Sequence, residues 1–379
     1  MRMDPAAGRG AGPAASARRH VLAAMSGGVD SGVAAALMAE EGHQVTGVTL
    51  KLFCYGKSPV SPRACCTLDA IDDARRVAGR MGFPHFVVDA EEVFRERVLQ
   101  PFLDAYTGGR TPYPCALCNQ HLKFGDLVTR MDVIGADTLA TGHYARVSHL
   151  EDGSWALSRA ADRAKDQSYA LAFVPYGVLE RVHFPLGGLD KTEVRGHAAR
   201  LGLSVWDKPE SQDLCFVPDG DYAGFADGLL GDRVPAPGPI VDGEGRQRGT
   251  HRGIHRYTVG QRRGLGIADP EPLYVLALEP ARNAVVVGPR TALEAGGLVT
   301  APMNWLLPAP PEAGRAVHAQ IRYQHAPAPA RVFPRADGGV EVRFETPQTA
   351  VTPGQSCVLY DGDRVLGGAP IASALPRVG

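Results

Sequence analysis

The chain has 379 residues, a formal net charge of −1 and 44% hydrophobic residues. This length exceeds what one compact core normally holds, so two or three domains are expected. The charged fraction of 21% is that of a folded globular protein, which excludes a disordered or fibrous chain. The small net charge also excludes a general attraction for polyanions, so any such partner must be bound by local basic patches.

The first nineteen residues predict a disordered tail. They are rich in Ala, Gly and Arg, and they contain Pro5 and Pro13. Asp4 and the glycines disfavour a transit peptide, and no apolar segment of a secretory signal follows. No uninterrupted apolar run is long enough to span a membrane. We therefore expect a cytoplasmic protein without membrane association.

Between Val21 and Gly142 short apolar segments alternate with helical patterns. This alternation predicts βαβ units and a mostly parallel sheet, with ligands bound where the strands end. The predicted strands are VLAAM (21–25), VTGVTLKLF (45–53), HFVVDA (85–90) and TLATG (138–142), and the predicted helices cover 32–41, 68–82, 91–106 and 122–133.

The pattern changes after Gly142. A helix is still predicted over 191–202, but beyond about Asp219 the helical signals vanish and short β-rich pieces such as RYTVGQ (256–261) and LYVLALE (273–279) alternate with Gly and Pro. The fold class predicted is therefore an α/β domain followed by a small β-rich domain and a β-barrel. Its parts are a tail at 1–19, a catalytic domain at 20–217, a central domain at 218–290 and a C-terminal domain at 291–379.

The segment SGGVDS (Ser26–Ser31) interrupts the first strand–helix unit. Paired glycines allow a ligand to approach the backbone closely, and the N–H groups of a helix start, with Asp30 and Ser31 as capping residues, form an anion pocket. A plain strand–helix turn can also contain Gly-Gly. The segment matches neither the Walker A loop nor the G-x-G-x-x-G fingerprint, so kinase-like transfer of a terminal phosphate is not favoured.

SGGVDS resembles the PP-loop of the ATP pyrophosphatase superfamily, whose members bind the pyrophosphate of ATP and adenylate a substrate oxygen. The resemblance implies AMP and pyrophosphate as products, and a role for Asp30 in holding Mg²⁺. The ATP-binding residues that it implies are Ala24, Met25, Ser26, Gly27, Gly28, Val29, Asp30, Ser31, Leu50 and Gly142.

The chain has an odd number of cysteines, which does not suit a secreted disulfide framework. Two of them form a C-x-x-C at a predicted helix start, where N–H groups lower the pKa of a thiol; the motif is compatible with a redox pair, a metal corner or no function. Cys215 alone would be a buried thiol. The seven are Cys54, Cys65, Cys66, Cys115, Cys118, Cys215 and Cys357.

Several sequence blocks occur in one order along the chain. SGGVDS is followed by PCALCNQHLKF (114–124), TGHYA (141–145), KDQSY (165–169), SQDLCF (211–216), GIHRYTVGQRRGLGI (253–267), IRYQ (321–324) and PGQ (353–355). Together they resemble the tRNA-specific 2-thiouridylases over nearly the whole chain except its first nineteen residues.

This resemblance implies ATP-dependent sulfuration of C2 of the wobble uridine in tRNA. It implies Cys118 as the nucleophile and Cys215 as the carrier of a persulfide from a sulfur-relay protein, with a disulfide between the two during the cycle. It also implies tRNA contacts around the target base by His143, Lys165, Asp166, Gln167, Arg322, Tyr323 and Gln355.

One residue departs from the family pattern. Some members carry Asp at the position of Cys115, and the thiol found here argues against general acid–base catalysis by this residue. Cys115, Cys118 and Cys215 could instead hold a [4Fe–4S] cluster whose open iron binds hydrosulfide. The persulfide mechanism is preferred, with ATP and Mg²⁺ as cofactors, and the cluster is its alternative.

Two stretches of the β-rich half concentrate positive charge. Residues 246–263 contain six Arg and two His without an acidic residue, and residues 315–331 contain three Arg and two His. Interleaved with Tyr257 and Tyr323, they predict phosphate contacts and stacking on a flipped base.

Two other functions stay open at this point. One is a noncatalytic protein that binds tRNA or a cluster, and the other is a different adenylating ligase of the superfamily. The intact SGGVDS and both cysteine blocks argue against the first, and the cysteines and the basic β-rich half argue against the second. We expect a monomer that acts on tRNA and receives sulfur from a donor protein.

Overall fold

The computed structural model describes residues 18–53, 68–209, 214–217 and 220–377. Most of the predicted tail, together with Cys54, Cys65 and Cys66, lies outside the described residues. Within them the chain forms a parallel five-stranded sheet, a mixed four-stranded sheet and an antiparallel nine-stranded sheet. The predicted class, an α/β domain followed by two β-rich domains, is confirmed.

The parallel sheet has helices on both faces. Along its first strand, Val21 and Ala23 pack with the helices at 29–40, 68–81 and 191–200. Leu22 packs on the other face against the helices at 114–118 and 127–133. Burial on both faces explains why these strands are continuous apolar runs. The sheet has the order β3-β2-β1-β4-β7, with β1 at His20–Ala24, α1 at Val29–Glu40, β2 at Gln44–Lys51, α2 at Leu68–Met81, β3 at His85–Asp89, β4 at Thr138–Thr141, β7 at Val182–His183 and α8 at Lys191–Arg200.

Two longer helices of this domain each contain a π-helical segment. The predicted helix at 122–133 begins earlier than expected, at Pro114, because proline is well suited to the first position of a helix. π-helical segments are frequent at functional sites. The first helix consists of α3 (Glu91–Phe94), a π segment (Arg95–Leu99) and α4 (Gln100–Thr107), and the second of α5 (Pro114–Cys118), a π segment (Asn119–Asp126) and α6 (Leu127–Val133).

The central part contains a helix that the sequence analysis did not expect. The prediction that helices end before Asp219 is wrong, because Asp221 caps a helix by accepting a hydrogen bond from the Gly224 N–H, and Phe225 anchors it in a hydrophobic cluster. RYTVGQ is not a strand either, since it forms a short 3₁₀ end and turns. The elements are α9 (Tyr222–Leu230), β8 (Gly238–Asp242), β9 (Gln247–His251), β10 (Tyr274–Glu279) and β11 (Ala284–Gly288).

The last sheet closes into a six-stranded barrel through the pairing of its first and last long strands. Alternate residues such as Val317, Val332 and Val342 fill the interior. A hairpin of the catalytic domain, β5 (Ala145–His149) and β6 (Trp155–Arg159), precedes α7 (Ser168–Leu171) and extends this sheet at one edge. The barrel strands are β12 (Glu294–Thr300), β16 (Val340–Thr349), β15 (Ala328–Pro334), β14 (Arg315–Gln320), β17 (Ser356–Asp361) and β18 (Arg364–Leu375), and β13 (Asn304–Trp305) pairs with β18.

The barrel is joined to the catalytic domain beside α5. The Thr111 N–H donates to the Pro353 carbonyl at 3.0 Å, and Gln355 donates back to the Thr111 carbonyl at 3.2 Å. Tyr169 donates to the Ser356 carbonyl at 2.8 Å. These bonds hold the last domain over the start of the C-x-x-C helix. No helix among the described residues is long and apolar enough to cross a bilayer.

The start of α8 provides a test of the fold. Asp190 accepts from the Glu193 N–H at 2.8 Å, and the Glu193 carboxylate accepts from the Asp190 N–H at 2.7 Å, which is a complete capping box. We expect Asp190→Ala to reduce the free energy of unfolding by about 1 kcal/mol. Denaturant unfolding followed by circular dichroism measures the change. Asp190→Ser should retain most of the stability, and an unchanged midpoint for the alanine variant would contradict this assignment.

Candidate active site

The loop Ser26–Ser31, which we call the glycine loop, connects β1 to α1 at the carboxyl edge of the parallel sheet. Gly27 has a φ of +71°, and a Cβ at this position would lie 2.1 Å from the Ala70 carbonyl oxygen. Only glycine fits there, because both the backbone angle and the contact with α2 exclude a side chain. The loop is therefore compact, with Gly27 buried and Gly28 half-buried, and neither residue has a side chain that would cover the backbone.

Ser31 closes the glycine loop from inside. Its Oγ accepts from the Ser26 N–H at 3.0 Å and donates to the Gly28 carbonyl at 3.2 Å. The helix begins at Val29, so Gly28 is its N-cap, and no side chain caps it. The prediction that Asp30 and Ser31 cap this helix is wrong, because both already lie in its first turn. A helix start without a capping side chain offers its first N–H groups to an anion.

Asp30 accepts two hydrogen bonds from residues far along the chain. Tyr144 donates to its Oδ1 at 2.9 Å, and Lys191, the first residue of α8, donates to the same atom at 2.6 Å. The Asp30 side chain is still 32% exposed. An accessible carboxylate beside an anion-binding helix start fits a Mg²⁺ ligand, since Mg²⁺ prefers oxygen donors shared with phosphates.

The other residues predicted for ATP surround this loop. Gly142 follows β4, and a Cβ on it would lie 2.6 Å from both the Asp30 carbonyl carbon and the Ser31 nitrogen. Leu50, near the end of β2, is partly buried. The side chains of Met25 and Val29 are buried, so only the backbone of these two residues is available to a nucleotide. The structure thus brings the ten predicted positions to one edge of the sheet.

The two thiols predicted to react are also brought together. Cys118 ends α5, and Cys215 lies in the short described segment 214–217. Both are partly buried thiols that pack against the same hydrophobic cluster, which includes Phe53, Phe94 and Phe216. The rings of Phe94 and Phe216 meet edge to face with centroids 5.5 Å apart. Residues distant in sequence thereby share one wall.

Cys115 lies at the opposite end of α5, toward the barrel. Burial raises the pKa of Tyr323, and the neighbouring Cys115 raises it further. The pKa of Tyr113 is raised well above its usual value by burial and then by the same thiol. Within the described parts of the chain, no three His, Cys, Asp or Glu side chains are grouped as a metal site requires. The alternative of a [4Fe–4S] cluster on Cys115, Cys118 and Cys215 therefore lacks structural support.

His143 connects the C-x-x-C helix to the end of β4. Its Nε2 lies 3.4 Å from Lys123 Nζ, and its Nδ1 lies 2.7 Å from Thr141 Oγ1. Because an ammonium group only donates, Nε2 accepts, and the ring proton is on Nδ1, which donates to Thr141. Burial, followed by the Lys123 charge, lowers the pKa of His143 well below its usual value. The imidazole is therefore neutral at neutral pH.

Several residues predicted to contact tRNA are held by the protein itself. Asp166, 5% exposed, pairs with Arg159 at 2.9 Å. Gln167 accepts from the Tyr144 N–H at 3.0 Å, and Arg322 donates to the Thr349 carbonyl at 3.1 Å. Such bonds orient these side chains. Lys165 lies in the turn that precedes Asp166.

Tyr323 differs from these residues because it presents its ring to solvent. It is 43% exposed, and it stacks on Tyr113 with a centroid distance of 6.3 Å and an interplanar angle of 22°. Tyr113 directly precedes α5, so this stack lies at the junction of barrel and catalytic domain. An exposed ring supported from behind is a stacking surface for a nucleobase.

The basic stretch at 246–263 is partly neutralised by carboxylates outside it. Arg246 pairs with Asp242 at 2.9 Å, and Arg248 and Arg256 pair with Asp269 and Asp227. The sequence run did not reveal Asp269 and Asp227, because they are adjacent to their arginines only in the fold, whereas Asp242 is a sequence neighbour of Arg246. The other three arginines of the stretch, which take no part in these three ion pairs, are exposed. They are Arg252, Arg262 and Arg263.

Sequence reasoning missed three residues of the site. Tyr144 was part of the quoted TGHYA block but had no role, and Lys191 was recognised only as the start of a helix. Lys208, which contacts the glycine loop, was not singled out. No local pattern marks these residues, because each acquires its role through a contact more than a hundred residues away.

A parallel α/β domain with a bare helix start at its sheet edge, joined to a mixed β sheet and a barrel, defines a multidomain nucleotide-binding protein. Three family models match the chain in this order: a tRNA methyl transferase HUP domain over residues 19–219, a tRNA methyl transferase PRC-barrel domain over 228–289 and an aminomethyltransferase beta-barrel domain over 295–371.

Curated relatives extend over almost the whole chain. The tRNA-specific 2-thiouridylase MnmA of Geotalea uraniireducens is 49% identical and is matched over 94% of this chain and 96% of its own. The proteins of the same name from Geobacter metallireducens and Magnetococcus marinus are each 48% identical, over 95% and 92% of this chain and 98% of each relative. The chain belongs to the tRNA-specific 2-thiouridylase family, and the resemblance derived from its sequence blocks is confirmed.

The close contact of Gly142 with the glycine loop provides a prediction. Gly142→Ala places a methyl group against the Asp30–Ser31 backbone, so the loop must move. We expect the Kd for ATP, measured by calorimetry, to rise about tenfold or more, because misplaced N–H groups lose charge-assisted hydrogen bonds.

Gly79→Ala is the matched control for this variant. Gly79 is exposed within α2, and a Cβ there meets nothing within 4 Å. ATP binding by this control should equal that of the unchanged protein. Equal ATP affinity for both variants would show that Gly142 does not border the nucleotide.

Proposed function

We propose that this protein is an ATP-dependent tRNA-uridine 2-sulfurtransferase, which replaces the C2 oxygen of the wobble uridine with sulfur. One observation carries the proposal. Cys118 and Cys215 share one hydrophobic wall in the domain that also holds the glycine loop. Adenylation and thiol chemistry are then available to one flipped base. The names of the curated relatives state the same substrate and product class.

In the first step the uridine O2 attacks the α-phosphorus of ATP. The O2–P bond forms as the bond from that phosphorus to pyrophosphate breaks, so a poor leaving group becomes AMP. The backbone N–H groups of the glycine loop and the start of α1 bind the pyrophosphate. Asp30 would hold Mg²⁺, which neutralises charge on the phosphates. Lys191 and Tyr144 orient the Asp30 carboxylate.

In the second step the terminal sulfur of a Cys215 persulfide attacks C2, and AMP leaves. The Cys118 thiolate then attacks Cys215 Sγ, which forms a Cys118–Cys215 disulfide and releases the thiolated base. Alternatively, Cys118 attacks first and frees hydrosulfide, which attacks C2. Both routes leave the same disulfide, so an external dithiol must reduce it before the next cycle.

The tRNA lies across the junction of the barrel and the catalytic domain. The exposed ring of Tyr323 stacks on a base of the anticodon loop, and Arg322, Gln355 and Lys165 contact the nucleotides around it. His143, whose ring nitrogens are engaged by Lys123 and Thr141, contacts the target nucleotide through its ring. The exposed arginines of the central domain bind phosphates.

Further aspects follow from the family resemblance. Sulfur reaches Cys215 from a separate persulfide donor protein, and the enzyme acts as a monomer in the cytoplasm. The partial burial of Cys215 is compatible with both needs of a carrier, since the thiol must meet a donor yet protect its persulfide from water.

Incubation with ATP, a persulfide donor and unmodified tRNA tests the proposal. We expect pyrophosphate and thiolated tRNA, the latter detected by retardation in a mercury-containing gel. Pyrophosphate without thiolated tRNA would indicate a different adenylating ligase. Absence of both products, with tRNA still bound, would indicate a noncatalytic binding protein.

The role of Cys215 can be separated from adenylation. Cys215→Ser should abolish thiolation but leave tRNA-dependent pyrophosphate release, because the adenylation step needs no thiol. Thiolation at the unchanged rate would exclude Cys215 as the carrier. Cys357→Ala is the control, since this cysteine is buried in the barrel and burial raises its pKa to about 12, which leaves it unreactive.

The role of Asp30 gives the complementary result. Asp30→Ala removes the carboxylate proposed to hold Mg²⁺ and leaves the Lys191 charge without its partner. Pyrophosphate release should fall at least about a hundredfold, as for other losses of transition-state charge stabilisation. Release near the original rate would show that the glycine loop is not the adenylation site.

A further inference from the structure

Lys208 contacts the glycine loop from a segment that lies far away in sequence. Its Nζ donates to the Gly27 carbonyl at 2.9 Å and to Asp73 Oδ2 at 2.6 Å. Asp73 belongs to α2 and is 13% exposed, whereas Lys208 is 36% exposed. Since Cys215 follows seven residues after Lys208, one side chain connects the glycine loop to the start of the segment that carries a reactive thiol.

The backbone of Lys208 is itself anchored. Arg195 of α8 donates to the Trp206 carbonyl at 2.9 Å and to the Lys208 carbonyl at 3.4 Å. Val205 is buried and lies against α1, where a Cβ on Gly32 would be 3.4 Å from its methyl group. The ammonium group therefore projects from a turn whose position is set by α1 and α8.

The other side of Gly27 is closed by α2, whose Ala70 carbonyl leaves no room for a side chain. In a trans peptide the carbonyl of one residue and the N–H of the next point in opposite directions. Holding the Gly27 carbonyl on Lys208 therefore directs the Gly28 N–H away from Lys208. This bond adds to the packing of Gly27 against Ala70 in fixing the Gly27–Gly28 peptide, which glycine would otherwise allow to rotate because it populates both signs of φ.

We propose that Lys208 is a positioning residue that holds the Gly27–Gly28 peptide with its N–H directed at the pyrophosphate of ATP. Rotation of this peptide would turn a carbonyl oxygen toward the phosphates, which repels them. Asp73 holds the ammonium group in place and balances its charge. The inference rests on the proposed function, since it assigns the pyrophosphate to the glycine loop.

Binding measurements on the full chain test this role without tRNA. Lys208→Met should raise the Kd for ATP and for inorganic pyrophosphate about tenfold, the value of one charge-assisted hydrogen bond. The Kd for AMP should change less than about twofold on the same reasoning, because AMP lacks the groups that the Gly28 N–H would bind. Lys208→Arg should recover much of the loss, since a guanidinium can still donate to the Gly27 carbonyl.

Arg200→Met is the matched control. Arg200 of α8 forms a similarly short ion pair with Glu40 at 2.7 Å, at the end of α1 that is far from the glycine loop. This variant should bind all three ligands as the unchanged protein does.

Two results would overturn the inference. One is unchanged ATP and pyrophosphate affinity in Lys208→Met, and the other is an equal loss of AMP affinity that Lys208→Arg does not restore, which would indicate a general structural role. Failure of the proposed function has a different signature. In that case the unchanged protein would bind ATP and pyrophosphate but would not thiolate tRNA. Lys208→Met would still weaken the binding of both ligands.

Discussion

The close packing of backbone around Gly27 and Gly28 is the constraint on which the site depends. Ala70 of α2 packs against Gly27, and Gly142 packs against the first turn of α1. Neither contact leaves room for an additional carbon atom. The result is a rigid loop, although glycine, at its centre, is the most flexible residue type. A rigid set of N–H groups binds an anion without first losing conformational entropy, which is the physical basis of electrostatic preorganisation.

The proposed chemistry also requires two thiols from separate segments on one wall of the domain. Aromatic packing fulfils this requirement. Phe94 contacts both Phe53 and Phe216, with centroids 4.9 Å and 5.5 Å apart, and both Cys118 and Cys215 pack against this cluster. Since the cluster is nonpolar, it shields one side of each partly buried thiol from water. A persulfide needs such surroundings, because exposed sulfane sulfur is readily lost to other thiols.

The barrel has a different role, because it supplies surface rather than chemistry. Its contacts with Thr111 place the Tyr323 ring directly over Tyr113, immediately before the C-x-x-C helix. The catalytic domain in turn contributes the hairpin β5–β6 to the barrel sheet. This exchange makes the two domains one continuous support, so the base that we propose to stack on Tyr323 would keep a fixed position relative to the thiols.

Sequence reasoning predicted most of the parallel domain, since the alternation of apolar strands and helices is strong there, and it predicted the glycine loop and the cysteines as blocks. This reasoning failed where one local feature, such as a helix cap, outweighed the composition of the surrounding segment. The helix α9 depends on the Asp221 cap and on burial of Phe225, within a stretch where glycine and proline otherwise indicate strands and turns. RYTVGQ has strand propensity, but it forms a 3₁₀ end and turns, and it meets β10 only where Gly260 and Gln261 exchange backbone hydrogen bonds with Val275.

The amino-acid sequence by itself determined the fold class and the family and predicted the reactive residues, because these are carried by residue types at short spacing. Only the tertiary structure decided which charges remain accessible. Arg248 and Arg256 pair with carboxylates 21 and 29 residues away, and Lys208 lies on the glycine loop. These contacts join residues far apart in sequence, and Coulomb attraction depends on distance in space rather than along the chain.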